Sequence, residues 1–428
     1  MTARGITERA KGARPAAEHR RFKHITKLIQ ANRFNTHMMR SFDWGFFLLV
    51  MAIALFGVVC IFSATATPTE TQPTSLMEML STQPFTYARL QILWIMAGLV
   101  LMASMVYLDY EYLSQWANLI YWANIALLFV VLFMERGRGN MAGWFRWGTD
   151  ANRTMQPSEF GKLAIIISMA KLFAGRQKPI TTVAELVPVL VYVGLPLVLI
   201  VAQPDVGTAL VYIVIFAVML FASGTNYKLI IGMICIAVLL LVPVWYFMNT
   251  AEGNFRTNRI LVWLDPTLDT SGAGMQMANA RIALGSGGMY GKGLFSVGSF
   301  ASLNYIPDDH TDFIFAIVGE TFGFIGSVAI VGALVLMLVR MVVMSMHAAD
   351  AFGAYVILGV MAMMAFHIIE NIGMVVGLLP VTGIPLPFIS YGGSNLLTNM
   401  AGLGIVLGIA MRSKDRTRVV RPRQTARL

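Results

Sequence analysis

The chain has 428 residues, of which 57% are hydrophobic and only 13% charged. This balance excludes an ordinary soluble domain and indicates a protein with many membrane spans. Its net charge of +10 is concentrated towards the two ends of the chain, which excludes a basic stripe for nucleic acid and instead favours contact with anionic membrane lipids. Cys60 and Cys235 lie in apolar runs, without disulfide or metal-ligand spacing, and are interpreted as small packing residues.

The apolar runs predict an all-α polytopic membrane protein with about ten transmembrane helices. We interpret residues 1–42 as a basic cytoplasmic arm, 43–411 as one transmembrane domain and 412–428 as a basic cytoplasmic tail, because Lys and Arg favour the cytoplasmic side. The first apolar run begins too far along the chain, and is too long, for a cleaved signal peptide. The predicted spans are 44–66, 87–108, 114–134, a fourth from about 156, 184–202, 206–222, 227–248, 312–342, 353–378 and 395–411.

The fourth span begins at the polar sequence QPSEFGK, residues 156–162. Pro157 fits the first helical position, and Glu159 and Lys162 share a helix face three residues apart. Either these two charges form a local ion pair at the membrane edge, or Lys162 faces an anionic substrate. Further along, Asp205 follows a proline and is interpreted as a turn or helix-start residue.

Two loops differ in their predicted side of the membrane. The turn at 175–182, with Arg176 and Lys178, is predicted to be cytoplasmic. The longest loop, residues 250–310, is predicted to lie outside and contains a glycine-rich run at 285–293. These glycines form either a flexible hinge or a backbone cradle for a lipid pyrophosphate. The cations available to such a cradle are Arg256, Arg259, Arg281 and Lys292.

An acidic loop end runs into the eighth span at residues 304–320. Asp309 and Asp312 either cap the helix, with Asp312 in its first turn, or Asp312 is a catalytic base at the boundary between water and lipid. Glu320 lies about 12 Å deeper along a helix, and a carboxylate inside the membrane indicates function. Small residues on this face favour a kink and the close approach of another helix or a substrate chain. They are Ala316, Gly319 and Gly323.

The ninth span carries His367, Glu370 and Asn371 on one face. They form either a satisfied polar cluster or part of a substrate path. Three prolines and three glycines then break the helix at 379–394. The polar breaks between the predicted spans all fall on the predicted outer side, together with Asp312. This one-sided arrangement favours surface chemistry on a lipid-linked substrate over an alternating-access carrier.

Four motifs resemble the SEDS family of shape, elongation, division and sporulation proteins, and they occur in family order between residues 44 and 411. The motifs are QPSEFGK (156–162), QPDVGTA (203–209), HTDFIFAIVGE (310–320) and LPVTGIPLPFISYGGS (379–394). Patterns at 272–293, 371–374 and 381–385 resemble the elongation branch more than the division branch.

The resemblance implies an inverting peptidoglycan glycosyltransferase that polymerises lipid II, an undecaprenyl-pyrophosphate-linked disaccharide peptide, at the outer face of the cytoplasmic membrane. It also implies a class B penicillin-binding protein as partner and Asp312 as the catalytic residue. The predicted substrate-binding residues are Arg146, Trp147, Glu159, Lys162, Arg259, Lys292, His310, Glu320 and Ser390. The one cofactor considered is a divalent cation, Mg²⁺ or Mn²⁺, although the sequence has no metal-ligand spacing.

This sequence departs from the family pattern at several positions. Asn279-Ala280 stands where Gln-Ser is usual, Thr321 replaces a second acid, and His367 and Glu370 have no family counterpart. Two other functions stay open at this point. One is a lipid II flippase, whose route such polar residues would line, and the other is a non-enzymatic scaffold for the penicillin-binding protein.

Overall fold

The structure is a computed structural model, and it describes residues 41–65, 86–133, 145–146, 154–203, 205–236, 239, 261–265, 268–269, 272–296, 298–301, 303, 305–307 and 309–420. Apart from one two-stranded hairpin, the regular elements of this described part are helices. The helices are α1 (Trp44–Ala64), α2 (Thr86–Tyr107), α3 (Tyr110–Phe133), α4 (Pro157–Ala174), α5 (Val183–Ala202), α6 (Val206–Ala222), α7 (Tyr227–Ile236), α8 (Ala273–Ser286), α9 (Ile314–Met346), α10 (Ala351–Val376) and α11 (Gly393–Val420). The hairpin pairs β1 (Phe145–Arg146) with β2 (Thr154–Met155).

The predicted all-α membrane fold is confirmed. Seven of the described helices are long and apolar enough to cross a membrane: α1, α2, α3, α5, α9, α10 and the first part of α11. The remaining apolar helices, α6 and α7, are shorter, and α4 carries several charged residues. The predicted total of about ten spans therefore stays a prediction.

The helix α10 lies at the centre of the bundle, where it contacts α4, α6, α8, α9 and α11. α11 packs closely along α2, and a Cβ added to Gly404 would lie 2.6 Å from the carbonyl oxygen of Met102. Close backbone approach of this kind replaces the hydrophobic driving force that lipid cannot supply between helices. The centre of the bundle is therefore tightly packed around α10 and α11.

The helix α9 is interrupted at Gly323, in agreement with the predicted kink. Gly323 has φ 68° and ψ −165°, a conformation that residues with a side chain rarely adopt. A Cβ added to Gly323 would also lie 2.3 Å from the backbone nitrogen of Gly291, in the loop that follows α8. The kink therefore requires a glycine for two independent reasons.

The glycine-rich loop supplies the hydrogen bonds that the kink removes from α9. The carbonyls of Glu320 and Thr321 accept the backbone N–H groups of Lys292 and Gly293, at 2.8 and 3.0 Å. Beyond the kink, the amide of Phe324 donates to Gly288 and that of Ile325 to Met289. The amides of Gly288, Gly291, Lys292 and Gly293 thus bond to α9 or to the loop itself. The flexible hinge and the anion cradle both stay predictions.

The capping prediction for α9 is wrong. The helix begins at Ile314, its N-cap residue is Phe313, and no side chain caps it. Asp309 lies in the preceding turns, and Asp312 precedes the helix instead of occupying its first turn. The chain is held here by contacts with the segment after α10, since the N–H of Tyr391 donates to the carbonyl of His310 at 2.9 Å. These tertiary bonds decide where the helix begins.

Two other predicted helix starts are confirmed. Pro157 is the first residue of α4, and Asp205 is the N-cap of α6, where its carboxylate accepts the N–H of Thr208 at 3.0 Å. Of the two cysteines, Cys60 is buried as predicted, but Cys235 is exposed and does not pack in the core.

Candidate functional site

Asp312 lies where the start of α9 meets the end of α10 and the broken segment between α10 and α11. Its backbone carbonyl accepts a hydrogen bond from the side-chain amide of Asn371 at 2.7 Å. The same amide donates to the carbonyl of Ile384 at 2.9 Å. Asp312 is half-buried, and its Oδ2 would lie 3.3 Å from a Cβ added to Gly383. The carboxylate is thus held against a backbone with no side chain in the way.

Aromatic side chains surround His310, two residues before Asp312. The ring centroids of Tyr87 and Tyr391 lie 4.4 and 5.7 Å from that of His310. Burial raises the pKa of Tyr391 above its usual value, so its hydroxyl stays protonated. His310 Nδ1 lies 3.4 Å from a carboxylate oxygen of Asp309. The structure thus places the predicted residue His310 beside Asp312, between two aromatic rings that are tilted against it.

A second polar cluster lies deeper, between α4, α10 and α11. Lys162 Nζ donates to Glu159 Oε1 at 2.6 Å and lies 3.0 Å from His367 Nε2. Glu159 Oε2 accepts from the side-chain amide of Asn395 at 3.0 Å. Only 1% of the Lys162 surface is exposed. The local ion pair considered for these two charges is present, whereas a direct contact between Lys162 and substrate stays a prediction.

The charge on Lys162 fixes the tautomer of His367. An ammonium group only donates, so His367 Nε2 accepts and its ring proton resides on Nδ1. That Nδ1 is buried and has no hydrogen-bond partner within the described part of the chain. His367 therefore orients the ammonium group.

One face of α10 connects this cluster to Asp312. His367 and Asn371 are four residues apart, about one helical turn. The α10 side chain that contacts Lys162 and the one that contacts Asp312 therefore lie on the same face of the helix. Glu370 accepts a hydrogen bond from the hydroxyl of Thr382. All three α10 residues make hydrogen bonds within the protein, but the buried His367 Nδ1 and Asn371 Oδ1 have no partner among the described residues. The satisfied polar cluster and the substrate path therefore both stay predictions. The connection of α10 to the backbone of Asp312 was not foreseen from the sequence.

Glu320 serves to fix the long loop to α9. Its Oε1 accepts from Lys292 Nζ at 2.7 Å and from the backbone N–H of Phe300 at 2.9 Å. Its Oε2 accepts from the N–H of Ala301 at 3.4 Å. The cost of burying this carboxylate is offset by these donors. The structure thus joins two predicted substrate-binding residues to each other, and their contact with substrate stays a prediction.

Ser390 holds the broken segment between α10 and α11. Its hydroxyl oxygen accepts the N–H of Leu386 at 2.8 Å, and its carbonyl accepts from the side chain of Gln91 at 3.2 Å. The hydroxyl and the carbonyl of Ser390 are therefore both bonded within the protein, and the residue is buried. Its predicted contact with substrate stays a prediction.

Some predicted residues lie outside what the structure describes. Arg259, Arg256 and Trp147 fall outside the described residues, and only the backbone of Arg146 is described, paired with Thr154 in the hairpin. Within the described ranges, no three His, Cys, Asp or Glu side chains are grouped as metal ligands.

The site thus combines an acid before an apolar helix with a buried ion pair that contacts α10 one helical turn away. Residues 43–415 match the family described as "Cell cycle protein", which comprises FtsW, RodA and SpoVE. The chain belongs to the SEDS family. It is 33% identical to a probable peptidoglycan glycosyltransferase FtsW of Trichlorobacter lovleyi over 374 residues, 87% of this chain and 94% of that protein. It is 32% identical to the peptidoglycan glycosyltransferase MrdB of Escherichia coli over 369 residues, 86% of this chain and 93% of that protein.

The fold of this SEDS protein also resembles a solved chain from a peptidoglycan synthase complex that coordinates polymerization and crosslinking. That chain has 28% sequence identity and a TM-score of 0.71, and the match covers 87% of this chain and 98% of that one. The relatives named FtsW and MrdB differ by only one percentage point in sequence identity, 33% against 32%, so the preference for the elongation branch stays a prediction.

Proposed function

We propose that this SEDS protein is a peptidoglycan glycosyltransferase that polymerises lipid II, with Asp312 as the general base. The observation that carries the proposal is the placement of a half-buried carboxylate at the polar start of an apolar helix, held by Asn371 through its backbone. Such a position lets the carboxylate meet water-soluble sugars while the lipid tail of the substrate stays in the membrane. The peptidoglycan glycosyltransferase activity of its relatives agrees with this assignment.

In the proposed reaction, one lipid II supplies the acceptor sugar and another supplies the donor. The C4 hydroxyl of the acceptor GlcNAc attacks C1 of the donor MurNAc, and Asp312 takes the hydroxyl proton. The C1–O bond to the undecaprenyl pyrophosphate breaks as the new C1–O bond forms, so the configuration at C1 inverts. A positioned general base of this kind contributes about 10²–10⁴-fold to the rate.

The leaving pyrophosphate requires positive charge nearby. Of the two predicted lysines, Lys292 is partly exposed and Lys162 is buried, so Lys292 is the one proposed to contact the pyrophosphate. Arg146 and Arg259 are proposed to contact it as well. Glu159 and Lys162 then act as positioning residues, through His367 and the face of α10 that carries Asn371. A divalent cation, Mg²⁺ or Mn²⁺, would supply further neutralisation of the pyrophosphate.

The proposed setting of this reaction is the outer face of the cytoplasmic membrane, with both termini in the cytoplasm and a class B penicillin-binding protein as partner. The likeness to a chain of a peptidoglycan synthase complex supports the partner. The patterns at 272–293 and 371–374 favour a role in cell elongation over one in division.

The proposal is tested by supplying lipid II to the purified protein with its partner and comparing Asp312→Asn with the parent. We expect polymerisation to fall by about 10²–10⁴-fold, because the amide cannot accept the hydroxyl proton. Asp109→Asn is the matched control, since Asp109 follows α2 at the end opposite Tyr87, whose ring contacts His310, and it should retain activity. Undiminished polymerisation by Asp312→Asn would show that the base is elsewhere.

The same variants separate the other two functions. A flippase would move labelled lipid II across vesicle membranes without elongating it. A scaffold would bind the penicillin-binding protein normally and support normal growth when Asp312 is replaced by alanine. Either result, combined with no polymerisation by the parent, would replace the proposed function.

A further inference from the structure

A cavity of about 170 Å³ lies at the end of the bundle remote from Asp312. It is a half-open pocket lined by the α4–α5 turn, the end of α6 and the first turns of α10. Tyr355, in its wall, precedes Asn371 by 16 residues on α10, which corresponds to about 24 Å along a helix. The cavity is therefore separate from the site around Asp312. Its volume is about ten times what one buried water needs.

The lining of this pocket combines apolar side chains with basic and polar ones, and its accessible part is more polar than apolar. Phe173 and Ile180 are buried in the wall, and the rings of Phe173 and Tyr355 lie 5.8 Å apart. Arg176 and Lys178 line the rim. Two cations in a polar pocket at the edge of a membrane bundle are a suitable receptor for an anionic headgroup.

The cations are positioned by a structured turn. The N–H of Asn226, at the start of α7, donates to the carbonyl of Ile180 at 2.9 Å, which ties the α4–α5 turn to the α6–α7 turn. Arg176 donates to the carbonyl of Glu185 at 3.3 Å. Lys178 has no ion-pair partner within the described part of the chain. One of the two rim charges is therefore available to an external anion in a preformed pocket.

The surroundings favour a lipid over a free anion. Phe221 and Tyr227 flank the pocket residue Ser223 in sequence, and their exposed fractions are 71% and 65%. On helices that lie in a membrane, exposed aromatic side chains face acyl chains and the headgroup boundary. A molecule that places a phosphate at Lys178 and its tails along this surface would satisfy both the charge and the apolar area.

The geometry points to a binding site for the headgroup of an anionic phospholipid in this cavity, in the membrane leaflet opposite the one that Asp312 faces. Lys178 contacts the phosphate, assisted by Arg176, which also donates to the carbonyl of Glu185. Tyr355 and the exposed rings of Phe221 and Tyr227 contact the glycerol and the first methylenes. The site is independent of the catalytic proposal, because it involves neither Asp312 nor the α10 face that contacts it.

Native mass spectrometry of the full-length protein, titrated with phosphatidylglycerol or with phosphatidylcholine of the same acyl chains, tests this site. We expect the parent to prefer phosphatidylglycerol and the variant Arg176→Gln/Lys178→Gln to lose about 10- to 30-fold in affinity for it, since each basic residue near a lipid surface contributes about fivefold. Lys228→Gln is the matched control, because Lys228 is exposed on the adjacent helix start but does not line the cavity. It should stay within about threefold of the parent.

A second variant, Ser223→Leu, fills the cavity and keeps every charge. We expect it to weaken phosphatidylglycerol binding as well, which attraction to the surface charge alone would not produce. Equal binding by Ser223→Leu and the parent, or an equal affinity of the parent for both lipids, would overturn the site. Displacement of the lipid by an equal concentration of inorganic phosphate would show a site for free phosphate and would overturn the lipid assignment.

Discussion

At the scale of single residues, the burial of Lys162 explains how the polar cluster of the bundle is built. The ammonium group has almost no contact with solvent, and Glu159 and His367 both accept from it. Removing one partner of a buried pair leaves an uncompensated charge, whereas replacing both partners by neutral groups removes the cost of burying them. The cluster is therefore a set of mutually dependent side chains and its members do not contribute independently.

A double-mutant cycle on this pair follows from that argument. We expect Glu159→Gln to destabilise the protein by about 3–5 kcal/mol, because Lys162 then stays charged without its carboxylate. The double variant Glu159→Gln/Lys162→Met should melt closer to the parent than Glu159→Gln does, since no buried charge remains. The measurement is the midpoint of thermal unfolding in detergent for the parent, both single variants and the double variant. Additive losses would contradict the coupling.

The sequence predicted contacts between near neighbours better than contacts between distant residues. The Glu159–Lys162 pair follows from a three-residue spacing on one helix. The bond from Asn371 to the carbonyl of Asp312 joins residues 59 positions apart and involves a backbone atom, for which the residue types give no signal. The sequence motifs therefore predicted which residues belong to the Asp312 site. They did not predict the hydrogen bond by which Asn371 of α10 holds the backbone of Asp312.

At the scale of elements, α9 and the glycine-rich loop form one structural unit. The kink at Gly323 leaves carbonyl and amide groups unpaired in α9, and the loop after α8 pairs with them on both sides. In a membrane each such unpaired group is costly, so a broken helix needs partners of this kind. Sequence composition identified both the kink and the glycine-rich run, but it could not show that one completes the other.

This unit predicts a sharp difference between two glycines of α9. Gly323→Ala should destabilise the protein by about 1–3 kcal/mol, because alanine is strained at a positive φ and its Cβ would collide with Gly291. Gly332→Ala is the matched control, since a Cβ there meets no atom within 4 Å and alanine favours a helix. The check is the thermal unfolding midpoint of both variants. Equal midpoints would contradict the requirement for glycine at the kink.

At the scale of the whole molecule, the two ends of the bundle carry different chemistry. The end around Asp312 has an acidic side chain with tilted aromatic rings nearby, and the opposite end has a pocket lined by the basic residues Arg176 and Lys178. Basic residues favour the cytoplasmic side of a membrane. The sequence predicted this difference between the two ends from charge alone. The number of spans depends on whether α4, α6 and α7 cross the membrane, and these helices are either short or carry charged residues.

The orientation is tested by cysteine labelling at the two ends of α9. The 23 residues of α9 after the kink at Gly323 correspond to about 35 Å of helix, enough to cross a bilayer, so we expect Tyr305 before α9 and His347 after it on opposite sides. Both residues are exposed. In a Cys60→Ala/Cys235→Ala background, we expect a membrane-impermeant maleimide to label Tyr305→Cys in intact spheroplasts.

His347→Cys should react only after the spheroplasts are permeabilised. The comparison is internal, because both thiols sit at the ends of one helix and are read with one reagent. Labelling of His347→Cys in intact spheroplasts, with Tyr305→Cys protected, would place Asp312 in the cytoplasm. A base on that side could not act on sugars at the outer face, and polymerisation there would then require a different residue.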